Sequence, residues 1–89
     1  MRRAAKVDST QKEIVKTLRA LGYSILDLSR VGQGCPDLLC ARNEGWSFMV
    51  EVKRDAKAKF TPAQIKFKDK WRGRIYRVNS AEEAIKLFA

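Results

Sequence analysis

GCPDLLC at positions 34–40 and FMVEVKR at positions 48–54 decide how this chain is read. Both are apolar runs of strand length, yet each holds a carboxylate, Asp37 in the first and Glu51 in the second. Burying a carboxylate is costly unless it is paired, protonated or bound to a cation. In the second run Phe48, Val50 and Val52 alternate with Met49, Glu51 and Lys53, the period of two that sends successive side chains to opposite faces of a strand. Residues 42–45 read as a turn. A hairpin with its turn centred on Glu44 puts Phe48, Val50 and Val52 on one face with Leu38 and Cys40, and sets Asp37 opposite Glu51. Directly opposed residues have Cβ atoms roughly 4.5–5.5 Å apart, and like charges there destabilise a sheet.

The flanking sequence extends this hairpin into an α/β domain. Ile14, Val15, Leu18 and Leu21 recur at helical spacing after the polar cluster Asp8-Ser9-Thr10, and Gly22 ends the run. Residues 1–7 are basic and expected to be flexible, with a single domain over residues 8–89. A β-prone stretch at 23–28 leads into a loop whose Gly32 and Gly34 suit a close approach of backbone to a ligand. Strands are expected at 37–41 and 46–53. Thr61-Pro62-Ala63-Gln64 supplies an N-cap, a proline at the first helical position and the glutamine of a capping box, predicting a helix to about residue 71. A strand at 74–78 follows. Ser80 with Glu83 then opens a terminal helix carrying Ala84, Ile85, Leu87 and Phe88. The expected order is α-β-β-β-α-β-α, with a mixed sheet flanked by helices.

Composition narrows the chemistry. The chain has 89 residues, enough for one domain, and 19 Lys and Arg against 10 Asp and Glu. A net charge of +9 favours phosphate-bearing partners, either nucleic acid or an anionic membrane surface. No apolar run approaches the roughly 20 residues of a membrane span, and the basic N-terminus has no apolar stretch behind it. A soluble, unexported, cytoplasmic protein is expected. There is no histidine, which excludes Ser-His-Asp and Cys-His catalysis and histidine-bearing zinc sites within one chain. Cys35 and Cys40 alone cannot complete a four-ligand zinc site and are expected to be reduced packing residues.

A salt bridge from Lys53 accounts for Glu51 but leaves Asp37 without a partner. A divalent cation accounts for both, because Mg²⁺ prefers one or two carboxylates plus water and phosphate oxygens. The backbone carbonyl of Val52 is a candidate third protein ligand. Arg54, Lys57 and Lys59 follow directly and are expected to track a phosphate backbone. Arg30 and Gln33, in the glycine-bearing loop before Asp37, are further candidate DNA contacts. Trp46 and Trp71 read as packing or dimer-contact residues in preference to base-stacking platforms.

Gly34-Cys35-Pro36-Asp37, Glu51-Val52-Lys53 and Thr61-Pro62-Ala63-Gln64 together resemble the G-x-P-D, E-V-K and S/T-x-x-Q series of the VRR-NUC group within the PD-(D/E)xK nucleases. The resemblance spans nearly the whole chain. It implies a restriction-endonuclease-like core and a Mg²⁺- or Mn²⁺-dependent DNA phosphodiesterase. Asp37 and Glu51 would be metal ligands, Lys53 the catalytic lysine, and Gln64 and Gln11 supporting residues. Stand-alone members, often phage-encoded, are similar to Holliday-junction resolvases and act as homodimers on branched DNA. One departure is Ser9, where the family often carries a glutamate; Asp8 and Glu13 are near, but Glu13 projects away from the apolar stripe. Two alternatives stay open: a less selective nuclease on duplex, single strands or RNA, and a non-catalytic nucleic-acid-binding module of the same fold.

Overall fold

The computed structural model describes the backbone of residues 2–43 and 45–89 and the side chains of residues 9–43 and 45–89. Helix α1 (Arg2–Ala20), strands β1 (Ser24–Asp27), β2 (Leu38–Ala41) and β3 (Ser47–Val52), helix α2 (Pro62–Lys70), strand β4 (Ile75–Val78) and helix α3 (Ala81–Phe88) follow in the predicted order. The strands form one sheet in the order β1-β2-β3-β4. The β1–β2 and β2–β3 pairings are antiparallel, whereas β3 and β4 run parallel. A parallel pair needs a long crossover, and α2 lies within it.

The central hairpin adopts the register that its alternation demands. Leu38 faces Val50 and Cys40 faces Phe48. Leu38, Cys40, Phe48, Val50 and Val52 therefore share one face, and they form the core with Ile14 and Leu18 of α1 and Ala84 and Phe88 of α3. Phe48 stacks on Phe88 at 4.6 Å, and Tyr76 meets both rings edge-on. The Tyr23 hydroxyl donates to the Phe88 carbonyl at 3.0 Å, tying the end of α3 to the approach to β1. Cys40 belongs to this core and Cys35 is partly exposed; both are free. Among the described residues no helix is long and apolar enough to cross a membrane.

Three local expectations are corrected. Helix α1 begins at Arg2, so Asp8-Ser9-Thr10 lies inside the helix and does not precede it. Residues 2–7 are mostly strong helix formers with no breaker among them, and continuing a helix costs less than starting one. The ladder of β2 begins at Leu38, so Asp37 sits just beyond it and is not laddered to Glu51. The expected centre of the hairpin turn, Glu44, lies outside the described residues.

The third concerns Gly34: the close approach that the structure shows there is to helix α2. Helix α2 has no buried residue, so its attachment depends on a few contacts near its first turn. Gly34 has φ +80°, and a Cβ there would lie 2.2 Å from the Ala63 carbonyl oxygen and 2.9 Å from the Gln64 nitrogen. At Gly32, with φ +79°, an added Cβ would meet nothing within 4 Å. Gly34→Ala is expected to cost about 2 kcal/mol, combining strain with the clash, against about 1 kcal/mol for Gly32→Ala. Thermal melts check this: Gly34→Ala should lower Tm by roughly 10 °C, about twice the effect at Gly32, with faster amide exchange in α2.

Candidate active site

Asp37, Glu51, Val52, Lys53, Arg54 and Gln64 line one open cleft of about 360 Å³. Strand β3 supplies Glu51 from the face opposite the core, and Lys53 follows two residues on, in phase with it. Asp37 is brought in by the end of the loop before β2. Its carbonyl accepts from the Leu28 N–H at 2.7 Å, and its Oδ2 accepts from the Val52 N–H at 2.8 Å. The structure thus uses the N–H of Val52 to fix Asp37.

Gln64 completes the cluster from α2. Its Nε2 donates to Glu51 Oε2 at 2.8 Å, and its Oε1 accepts from Lys53 Nζ at 2.8 Å. The same Oε1 accepts from the Thr61 N–H at 2.9 Å, while Thr61 Oγ1 accepts from the Gln64 N–H at 3.2 Å, the predicted capping box. The Lys53 ammonium also lies 3.7 Å from Glu51 Oε2 and 5.7 Å from the centre of the Phe60 ring.

The electrostatics of the pair follow from its burial. Glu51 is only 4% exposed. Burial, and next the nearby Asp37 charge, push its pKa up to about 8 despite the opposing pull of Lys53. Burial likewise raises the pKa of Asp37, against the Val52 hydrogen bond that favours its ionised form. One ammonium therefore faces two carboxyls that resist being charged together. A divalent cation fits this donor set, because it offsets the excess negative charge and takes oxygen ligands. Among the described residues no three acidic, Cys or His side chains converge on one point, so the rest of a coordination shell would come from backbone carbonyl, water and phosphate.

Not every expected residue enters this cleft. Gln11 Nε2 donates instead to Asp27 Oδ2 at 3.3 Å, in a neighbouring cavity of about 590 Å³ bordered by Lys12, Lys16 and Arg19. The charge of Arg30 acts on Asp27. Gln33, at φ 57°, borders a groove along α2. Arg54 is on the cleft wall, while Lys57 and Lys59 are exposed on the loop that follows β3. Glu13 is exposed, as its phase on α1 predicts.

Two residues near the site escaped the sequence reading. Asp27 pairs with Leu38 in the sheet register, one residue from Asp37, and its charge adds to those that raise Asp37. The Ser29 hydroxyl, with the Ser29 N–H next, lowers the pKa of Asp27 itself. The available signal was its position at the end of a strand adjoining Asp37. Arg77 is aligned with Glu51 across β3 and β4, and its guanidinium donates to the carbonyls of Asp55 at 2.7 Å and Ala58 at 2.6 Å. It thereby pins the loop that carries Arg54, Lys57 and Lys59. No sequence signal marks such a contact.

Two carboxyls and a lysine thus gather beside the central hairpin of a mixed four-stranded sheet. The sequence matches no protein-family model and no curated protein. A solved structure described as a VRR_NUC domain is similar to this chain over 92% of each, at 32% identity and a TM-score of 0.80. The chain belongs to the VRR_NUC family of nuclease domains.

The raised pKa of Glu51 makes stability depend on pH in a defined direction. A carboxyl whose pKa rises on folding, here from the ordinary 4.5 to about 8, contributes stability that is present below 4.5 and lost as pH rises through 8. Glu51→Gln, which stays neutral, should melt several degrees higher than the native chain at pH 9, with the gap closing towards pH 5. A gap that is constant with pH would contradict the burial of an ionisable Glu51.

Proposed function

We propose that this chain is a Mg²⁺- or Mn²⁺-dependent DNA endonuclease that hydrolyses phosphodiester bonds, prefers branched DNA of the Holliday-junction kind, and acts as a homodimer. The observation that carries the reading is the bridge made by Gln64 between Glu51 and Lys53 beside Asp37. A merely structural ion pair needs no third residue holding both partners at the mouth of a cleft. The same bridge weighs against a non-catalytic binding module, which needs only the basic surface.

In this reading Asp37, Glu51 and the carbonyl of Val52 hold the cation, which when bound supplies Lewis acidity at the phosphate and lowers the pKa of a bound water. The Val52 N–H keeps Asp37 oriented. Gln64 orients Glu51 and holds Lys53 Nζ where its positive charge lies beside the phosphate being attacked. The water oxygen forms a new bond to phosphorus as the bond to the leaving nucleotide oxygen breaks, and the proton that the water gives up is delivered through solvent to that leaving oxygen. Arg54, Lys57 and Lys59 hold the flanking backbone on the loop that Arg77 pins, and Arg30 and Gln33 extend the contact on the other side of Asp37. Gln11 supports the site indirectly, through Asp27.

Branched DNA and a dimer belong together, since one chain offers one such cleft and resolving a junction takes two coordinated cuts. A domain of this size also leaves apolar residues for a partner, such as Leu26 at 57% exposure on the edge strand.

Cleavage of end-labelled four-way junction, duplex, flap and single strand in Mg²⁺, Mn²⁺ or EDTA tests this reading. Paired, symmetric junction nicks that need the metal are expected, with Glu51→Gln and Lys53→Ala each at least about a hundredfold slower. Cleavage that ignores the junction would remove the structure preference and keep the site. No cleavage of any substrate, with DNA binding unchanged in both variants, would leave only a binding module.

A further inference from the structure

The two tryptophans, alike in sequence, stand in different surroundings. Trp46 joins the core aromatics, 5.1 Å from Phe48 and 6.4 Å from Tyr23. Trp71, at the C-cap of α2, stacks on Phe67 at 5.4 Å and 19° and contacts none of those core rings. Its indole edge passes close to the backbone at Gly73, where an added Cβ would lie 2.7 Å from Trp71 Nε1. The Phe67 stack holds the ring with 47% of the residue's surface left in solvent. Together with Gln33, Ala63, Lys66, Phe67 and Lys70 it lines a groove of about 520 Å³ between α2 and the loop before Asp37.

We infer that this groove takes an unpaired nucleotide of the DNA strand whose phosphate occupies the cleft, with the base against Trp71 and the backbone along Lys66 and Lys70. The inference rests on the nuclease reading and specifies its branched substrate as one whose cut strand is unpaired beside the branch point. Gln64, which closes the cleft, and Trp71 lie seven positions apart along one helix, about 10 Å, or roughly three stacked nucleotides. A strand leaving the cleft along α2 therefore reaches Trp71 within a few nucleotides. A fixed, half-exposed aromatic ring flanked by lysines is the usual platform for an unstacked base. Gln33 adds an amide able both to donate to and to accept from a base edge. Two lysines and no carboxylate line the groove, which suits a phosphate backbone.

The test compares binding of a blunt duplex and of the same duplex carrying a single-stranded tail, by fluorescence anisotropy in Ca²⁺. Trp71→Ala should weaken binding of the tailed DNA about tenfold more than binding of the blunt DNA, and Trp71→Phe should restore most of that difference. Lys70→Gln should weaken tailed binding without disturbing the ring stack. In a Trp46→Phe background, tailed but not blunt DNA should quench the emission of Trp71. Equal loss on both DNAs, or no loss on either, would overturn the inference, and it would leave the nuclease reading standing wherever the native chain still cleaves. Dissociation of a dimer by Trp71→Ala in sedimentation would overturn it in favour of a contact between copies. A native chain that binds neither DNA would sink the nuclease reading and this inference together.

Discussion

One glutamine side chain holds the site and a helix in a single arrangement. Gln64 accepts from the Thr61 N–H, closing the cap of α2, and with the same oxygen accepts from Lys53. Its nitrogen donates to Glu51. Helix α2 has no buried residue to anchor it, so its position depends on this bridge and on the contact that Gly34 permits with Ala63 and Gln64. Capping, helix placement and site geometry are therefore coupled. Neither Asn nor Glu in place of Gln64 would serve all three: Asn falls one methylene short, and Glu, having no N–H, would set an acceptor against Glu51.

The buried Glu51 sets the energetic terms of the fold's outer face. The core face of the sheet is closed by α1 and α3 with apolar and aromatic contacts, and its buried Tyr23 hydroxyl is satisfied by the Phe88 carbonyl. On the opposite face the chain keeps two carboxyls beside one ammonium, which burial disfavours. Such local conflict between burial and charge is concentrated where ligands bind. Around it the basic residues are positioned by specific contacts as well as by composition, as with Arg77 holding the loop after β3.

Much of this was legible in the sequence because it depends on short-range rules. The alternation of Phe48, Val50 and Val52 against Leu38 and Cys40 set the hairpin register, and a slip of one residue would have turned the apolar set of one of the two strands out of the core. Thr61 to Gln64 announced the capping box. What the sequence hid depends on neighbours distant along the chain. Gln11 lay in phase with the core stripe of α1, but only the packing of α1 against β1 shows that its partner is Asp27. Trp71 resembled Trp46, and both keep over 40% of their surface in solvent, until the fold set one beside the core rings and the other on Phe67 at the groove along α2. The start of α1 was missed because its apolar stripe begins only at Ile14, while residues 2–7 extend the helix by propensity alone.

The central claim is that Asp37 and Glu51 form a divalent-cation site, and direct titration with Mn²⁺ followed by electron paramagnetic resonance tests it without reference to activity. The account predicts saturable binding to the native chain that Asp37→Asn and Glu51→Gln each remove, with the melting temperature of both variants no longer responding to Mn²⁺. Saturable binding that survives unchanged in both variants, or no binding to the native chain at all, would contradict it.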